Sequence, residues 1–190
     1  MLILASASPR RAELLTAAGI PFETLAVAID ETAQANERPD AYVLRVARAK
    51  AQAAILRCRK PGTPILAADT VVVAEGQLLA KPDGHDDAVR MLKLLSGGVH
   101  EVFTGVVMSD ATRELSEAVC TRVHVLPLST AEIEWYIASG EPEGKAGAYG
   151  IQGRAARFID RIEGSYSNVV GLPVATVYRM LRELGAVALS

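Results

Sequence analysis

The chain has 190 residues, half of them hydrophobic and 22% charged, with a formal net charge of −2. That balance suits one globular domain, or two closely packed lobes, and is wrong for a disordered chain. It also lacks the strongly basic footprint of a general nucleic-acid binder, although net charge says little about a single cleft.

In chain order, Leu2–Ala5 reads as a short buried strand. Ser8 followed by Pro9 predicts a helix start, with Ser8 as N-cap, and Gly19 predicts its end. Phe22–Ala28 reads as a second strand and the polar, acidic Ile29–Asn36 as a loop. Ala41–Arg57 predicts a long helix with Val43, Val46, Ala47 and Ala54 on one face and Arg45, Arg48 and Lys50 decorating the rest, ended by Pro61-Gly62. Ile65–Ala74 is the most apolar strand, and a Glu75-Gly76 turn leads back through Leu78 and Leu79. Asp86–Leu95 predicts a helix closed by Gly97-Gly98. Val99–Met108 and Leu115–Leu128 read as two strands joined by a polar turn. Thr130 is expected to cap a helix carrying Ile133, Trp135 and Ile137. Gly140–Gly153 reads as a glycine-rich loop, Phe158–Ile162 as a last strand and Leu172–Leu184 as a closing helix. Strands and helices alternate, with a strand pair in the middle, so the expected class is α/β with a mixed central sheet and flanking helices.

Cys58 and Cys120 match no Cys-x-x-Cys spacing and are expected to be reduced, buried thiols. His85, His100 and His124 lack ligand spacing, which speaks against zinc. The apolar run at the N-terminus is far shorter than a signal-peptide core. No stretch approaches the roughly 18 apolar residues of a membrane span, so no membrane partner is expected and the expected compartment is the cytosol.

Four features carry chemistry. Asp69 lies inside ILAADTVVVA, an otherwise almost wholly apolar run. A buried carboxylate there needs a cation, hydrogen-bond donors or a proton, either as a strand-end acceptor or as a metal ligand or general base. Strand alternation puts Ile65, Ala67, Asp69 and Val71 on one face and Thr70 on the other. In SASPRR, Ser6 to Arg11, two arginines occupy the first turn of a helix whose N–H groups and dipole already favour an anion. Arg10 and Arg11 either point into solvent or add forked donors suited to phosphate. Lys50 and Lys81 are surface charges unless the fold brings them to Asp69 and the arginines. Glu31 is an acidic loop residue that could complete a magnesium site. In KAGAYGIQGR, Lys145 to Arg154, small residues allow close backbone approach to a ligand, and the Gln152 amide both donates and accepts, as reading a base edge requires.

SASPRR, ADTVV, the Lys81-Pro82 pair after the next strand, KAGAYGIQG and SNVVGLP together resemble the Maf family of nucleotide pyrophosphatases, in the family's order and from Leu2 to about Leu184. The resemblance implies a single domain over residues 1–190, elongated, α/β and related to inosine triphosphate pyrophosphatase, with two lobes around a deep cleft. It implies metal-dependent hydrolysis of a nucleoside triphosphate to its monophosphate and pyrophosphate. By position, Asp69 matches the proton acceptor, Arg10 and Arg11 the arginine pair, Ser6 and Ser8 its flanking serines, and Glu31, Lys50 and Lys81 polar positions lining the cleft. Thr70 and Gln152 match positions associated with substrate choice. KAGAYGIQG looks like the branch acting on dTTP and UTP. One departure is Ala80, where relatives often carry glutamate.

The implied scheme has a magnesium, manganese or cobalt ion on Glu31 and Asp69, water attacking the α-phosphorus beside Asp69, and the arginines and lysines offsetting pyrophosphate charge. Housecleaning of modified pyrimidine nucleotides fits the same scheme. The alternatives are a 7-methyl-GTP pyrophosphatase of the same family, or a nucleotide-binding regulator of septum formation without turnover. No stable nucleic-acid partner is expected, and a homodimer is a family-level expectation only.

Overall fold

The computed structural model describes residues 1–60, 62–110 and 112–186. It contains strands β1 (Leu2–Leu4), β2 (Phe22–Thr24), β3 (Ile65–Ala74), β4 (Gln77–Leu79), β5 (Val99–Ser109), β6 (Glu114–Val125) and β7 (Ile159–Glu163). The helices are α1 (Pro9–Ala17), α2 (Pro39–Arg57), α3 (Gly84–Leu95), α4 (Thr130–Ile137), α5 (Tyr166–Val170) and α6 (Val174–Glu183). The strands form a mixed sheet in the order β2-β1-β3-β5-β6-β7, with β4 added to β3. The chain divides into two compact units, the first comprising Met1–Asp69, Thr104–Val119 and Gly171–Ser190, the second Thr70–Phe103 and Cys120–Val170. The expected α/β class with a mixed central sheet is what the chain adopts.

In the first unit β1 pairs in parallel with both β2 and β3, aligning Leu2 with Phe22 and Ile3 with Ile65. Successive strand side chains point to opposite faces, and the core divides accordingly. Leu2, Leu4, Leu66, Ala68, Val106 and Met108 pack with Leu15 of α1 and Val177, Met180 and Leu181 of α6. Ile3, Ala5, Ile65, Ala67 and Val107 pack on Ala47, Ala51 and Ala54 of α2. Alanines let α2 come close to the sheet. At Gly105 of β5 a Cβ would stand 2.5 Å from the Val43 carbonyl carbon and oxygen.

In the second unit β3 and β4 form a two-residue hairpin in which Ala74 pairs with Gln77. Glu75 and Gly76 take φ of 48° and 74°, the type I′ signature whose twist matches the strands. α4 opens with a capping box between Ser129 and Glu132. Asn168 of α5 is buried and donates to Val102 O and Thr121 Oγ1, both at 3.0 Å. His100 of β5 is 2% exposed and lies 2.7 Å through Nε2 from the hydroxyl of Tyr149, itself buried.

Several expectations are corrected. The second strand stops at Thr24 rather than Ala28, because only three residues find a partner on β1. Ser129, not Thr130, caps α4, because its side chain accepts the Glu132 N–H. Ser8 does occupy the N-cap of α1, but its side chain makes no cap bond. α2 begins at Pro39 and closes at Arg57 with Cys58 as its cap, while Pro61, expected to end it, lies outside the described residues. β6 ends at Val125, and the helix at Tyr166–Val170 was not expected from periodicity because it is a single turn. The cysteines are free thiols but not buried: Cys58 is half-buried and Cys120 exposed.

Two predictions follow from this packing. Gly105→Ala sets a methyl against helix backbone, which cannot rotate away. It should therefore destabilise the protein by about 1–3 kcal/mol, read as a lower urea midpoint at unchanged slope. A neutral midpoint shift would mean that α2 moves off the sheet freely. Burial, with a smaller contribution from His124, depresses the His100 imidazole from 6.5 to about 4. Below pH 6.5 the unfolded chain takes up this proton and the folded one does not. Stability should therefore fall as pH drops from about 6.5 to about 4, by about 3 kcal/mol in total from this residue. Stability curves of wild type and His100→Gln should diverge across that window; parallel curves would refute the assignment.

Candidate active site

The first cluster grows from the middle of β3. Asp69 keeps the strand parity of Ile65 and Ala67, so it emerges on the α2 side of the sheet. It is 6% exposed, and its carboxylate accepts from Lys50 Nζ at 2.7 Å. Lys50 was expected to decorate the outer surface of α2, but it is 8% exposed. The signal was present: Val43, Val46, Ala47 and Ala54 define a stripe whose helical spacing includes position 50. The same ammonium lies 2.7 Å from Glu31 Oε1. Glu31 comes from the loop before α2, and that loop is braced: Tyr42 donates to the Glu31 backbone carbonyl at 2.9 Å, and Arg45 bridges Glu37 and Thr32 O. Tyr42 was not singled out from sequence. Burial, then the charges of Asp69 and Glu31, push its phenol up to about 12, so it is a donor and not a base at neutral pH.

The second cluster grows from the turn between β1 and α1. The buried Ser6 hydroxyl accepts from Ser8 N and from Arg11 Nη1, both at 3.1 Å. Arg11 Nε donates to the Gly171 carbonyl at 2.8 Å. Arg11 is thus a buried strut between the SASPRR and SNVVGLP motifs. The two adjacent arginines therefore differ, Arg11 buried and Arg10 half-exposed. Desolvation lowers the Arg11 pKa, while the nearby Asp69 and Glu31 carboxylates counter that shift. Arg10 is half-exposed, and its guanidinium makes no hydrogen bond or ion pair among the described residues. Within the first unit, the structure therefore gathers Ser6, Ser8, Arg10, Arg11, Glu31, Lys50 and Asp69 near the first residues of α1, the acidic loop and the middle of β3.

Glu31 and Asp69 converge on one nitrogen from two sides. Both are hard oxygen donors, and Asp69 is shielded from water. That donor set fits a magnesium-like ion, which ordinarily takes one or two carboxylates and completes its shell with phosphate oxygens and water. Among the described residues no group of three or more His, Cys, Asp or Glu side chains could hold a metal by itself.

The remaining candidates belong to the second unit. Thr70 follows Asp69 directly and is half-buried, Lys81 is exposed just beyond β4, and Gln152 is exposed in the glycine-rich loop. That loop is pinned at several points within its unit. Gly147 N donates to the Ala80 carbonyl at 3.1 Å, and Gly150 N to the Tyr136 hydroxyl at 3.2 Å. Gly147, with φ of 69°, suits glycine, since a Cβ would be strained at that φ and would stand 3.0 Å from the Val72 side chain. Tyr136 and Glu141, which hold this loop, were also not singled out, because nothing in their local sequence marks them.

The chain matches the family described as Maf-like protein over residues 1–184. A dTTP/UTP pyrophosphatase of Geotalea uraniireducens is 51% identical over 189 residues, covering 98% of this chain and 96% of that protein. Proteins of the same name from Koribacter versatilis and Salmonella typhimurium are 49% and 47% identical, each covering 97% of this chain and 94% and 93% of their own lengths. With SASPRR, ADTVV, KAGAYGIQG and SNVVGLP placed as described and the family matched from the first residue to Leu184, the chain belongs to the Maf family.

Proposed function

We propose that this protein hydrolyses dTTP and UTP to the nucleoside monophosphate and pyrophosphate, in the cytoplasm where those nucleotides are made and used. The observation that carries the reading is the Asp69–Lys50–Glu31 cluster, in which buried Asp69 of β3 and buried Lys50 of α2 meet the more exposed Glu31. Support for the substrates comes from three relatives near half identity that are named dTTP/UTP pyrophosphatase.

The chemistry assigned to these residues is substitution at the α-phosphorus. Water forms the new P–O bond, and the bridging oxygen between the α- and β-phosphorus leaves with pyrophosphate. Asp69, shielded from solvent, orients the water and takes its proton. Lys50 holds the Asp69 carboxylate in place through their 2.7 Å contact. Arg10, whose guanidinium has no partner among the described residues, and Lys81 offset charge on the phosphates. Glu31 and Asp69 would hold a divalent cation, which would supply positive charge to the phosphoryl oxygens. Gln152 presents both a donor and an acceptor to a uracil or thymine edge, and Thr70 contributes to substrate choice. Ionised glutamate at that position could only accept, which suits the N–H-rich edge of 7-methylguanine instead.

The test is release of pyrophosphate from UTP, dTTP, CTP, GTP and 7-methyl-GTP by the purified protein. UTP and dTTP should have the highest kcat/KM. Asp69→Asn should lose at least 100-fold in kcat, about 2.7 kcal/mol of barrier, while its thermal transition stays cooperative. A preference for 7-methyl-GTP, binding without turnover, or more than a tenth of the rate retained in Asp69→Asn would overturn this reading.

Metal dependence has its own check. Exhaustive chelation should abolish turnover, and magnesium, manganese or cobalt should restore it, since the donors are hard carboxylate oxygens. Full activity at sub-stoichiometric metal content would refute the role given to Glu31 and Asp69.

A further inference from the structure

Gln152 immediately precedes the 3-10 turn Gly153–Phe158, where a side chain ordinarily folds back to accept a first-turn N–H. Its side chain makes no such bond and is exposed. The acceptor comes from elsewhere in the same unit. Both carboxylate oxygens of Glu141 take the Arg154 N–H, at 3.0 and 3.2 Å. The Arg154 side chain adds a longer contact, Nε to Glu141 Oε1 at 3.8 Å. Glu141 approaches closely: a Cβ on Gly153, whose φ of 82° already disfavours a side chain, would stand 2.8 Å from Glu141 Oε2 and push that carboxylate away.

Glu141 is itself held. Its N–H donates to Ser139 Oγ at 3.2 Å, and its carbonyl accepts from Lys145 Nζ. On the other side of Gln152, the Gly150 N–H donates to Tyr136 at 3.2 Å. Burial, and also the neighbouring Glu141 carboxylate, push the Tyr136 phenol up to about 12, so its proton stays on. Gln152 is therefore bracketed by two backbone N–H groups, each committed to a side chain from α4 or the turn just after it.

An amide that caps a turn gives up its oxygen, whereas reading a base edge needs both its oxygen and its N–H2 group. An ionised carboxylate is the stronger acceptor and wins that competition. We propose that Glu141 is a positioning residue for base selection: it caps the Gly153–Phe158 turn in place of Gln152 and so keeps the Gln152 amide turned out to the nucleotide base. The inference rests on the reading of Gln152 as the base-reading group.

The experiment is a double-mutant cycle on discrimination. The kcat/KM ratio of UTP over 7-methyl-GTP is measured for wild type, Glu141→Ala, Gln152→Ala and the double variant, with thermal midpoints alongside. Glu141→Ala should lower the ratio at least fivefold, mainly through a raised KM for UTP. The double variant should be no worse than Gln152→Ala. Glu141→Gln retains an acceptor oxygen and should come back to within about twofold of wild type. If Glu141→Ala does not fold, Glu141→Asp serves instead, because it keeps the charge but withdraws it by one methylene; the same loss of ratio is expected. An unchanged ratio in the Glu141 variants beside a lost ratio in Gln152→Ala overturns the inference and leaves Gln152 as the base reader. Losses at the two sites that add fully also overturn it, because the effect of Glu141 then does not pass through Gln152. Unchanged ratios at both sites remove the Gln152 reading and this inference together.

Discussion

A carboxylate in the middle of an apolar strand cannot stand alone. Taking Asp69 out of water costs several kcal/mol, and a cation at contact distance offsets that cost. Lys50 provides it at 2.7 Å and meets Glu31 at the same distance. Removing the ammonium would leave two carboxylates facing each other with Asp69 buried. Arg11, also buried, adds a second positive charge to their surroundings. The first unit thus gathers Asp69, Lys50 and Arg11 where water is largely excluded, with the more exposed Glu31 at their edge, and short-range electrostatics among the buried groups are correspondingly strong.

That pairing constrains everything around it. Lys50 must lie on the core-facing stripe of α2, so the residues beside it on that stripe have to be small. Ala47, Ala51 and Ala54 fill those positions, and Gly105 of β5 lets the helix backbone come into direct contact with the sheet. The loop that carries Glu31 is braced by Tyr42 and Arg45 from the same helix, so one element supplies both the cation and the supports of its second anion.

The second unit solves a different problem, the holding of a glycine-rich loop. Flexible backbone is needed for close approach to a ligand, yet an unrestrained loop would place Gln152 nowhere in particular. Anchors from several elements restrain it: the Ala80 carbonyl after β4, His100 of β5, Tyr136 of α4 and Glu141 in the turn beyond. The departure at Ala80 is harmless to this arrangement, because its backbone carbonyl and not its side chain takes the Gly147 N–H.

The linear order of residues was enough to determine what depends on near neighbours in the chain. Strand parity through Leu2–Leu4 and Ile65–Ala74, the type I′ turn at Glu75-Gly76 and the helix start at Ser8-Pro9 all follow from local periodicity and backbone preference. The shared motifs were likewise enough to bring out Asp69, Arg10, Arg11 and Gln152. What tertiary structure alone decided is which charges meet. Lys50 reaches Asp69 across 19 positions and Arg11 reaches Gly171 across 160, turning an expected surface lysine into a buried partner and burying Arg11 as well. Glu141 and Tyr136 became visible only as partners of Arg154 and Gly150. The physical reason is that burial sets the value of a charge or a hydrogen-bonding group, and burial is a property of the packed chain rather than of any stretch of it.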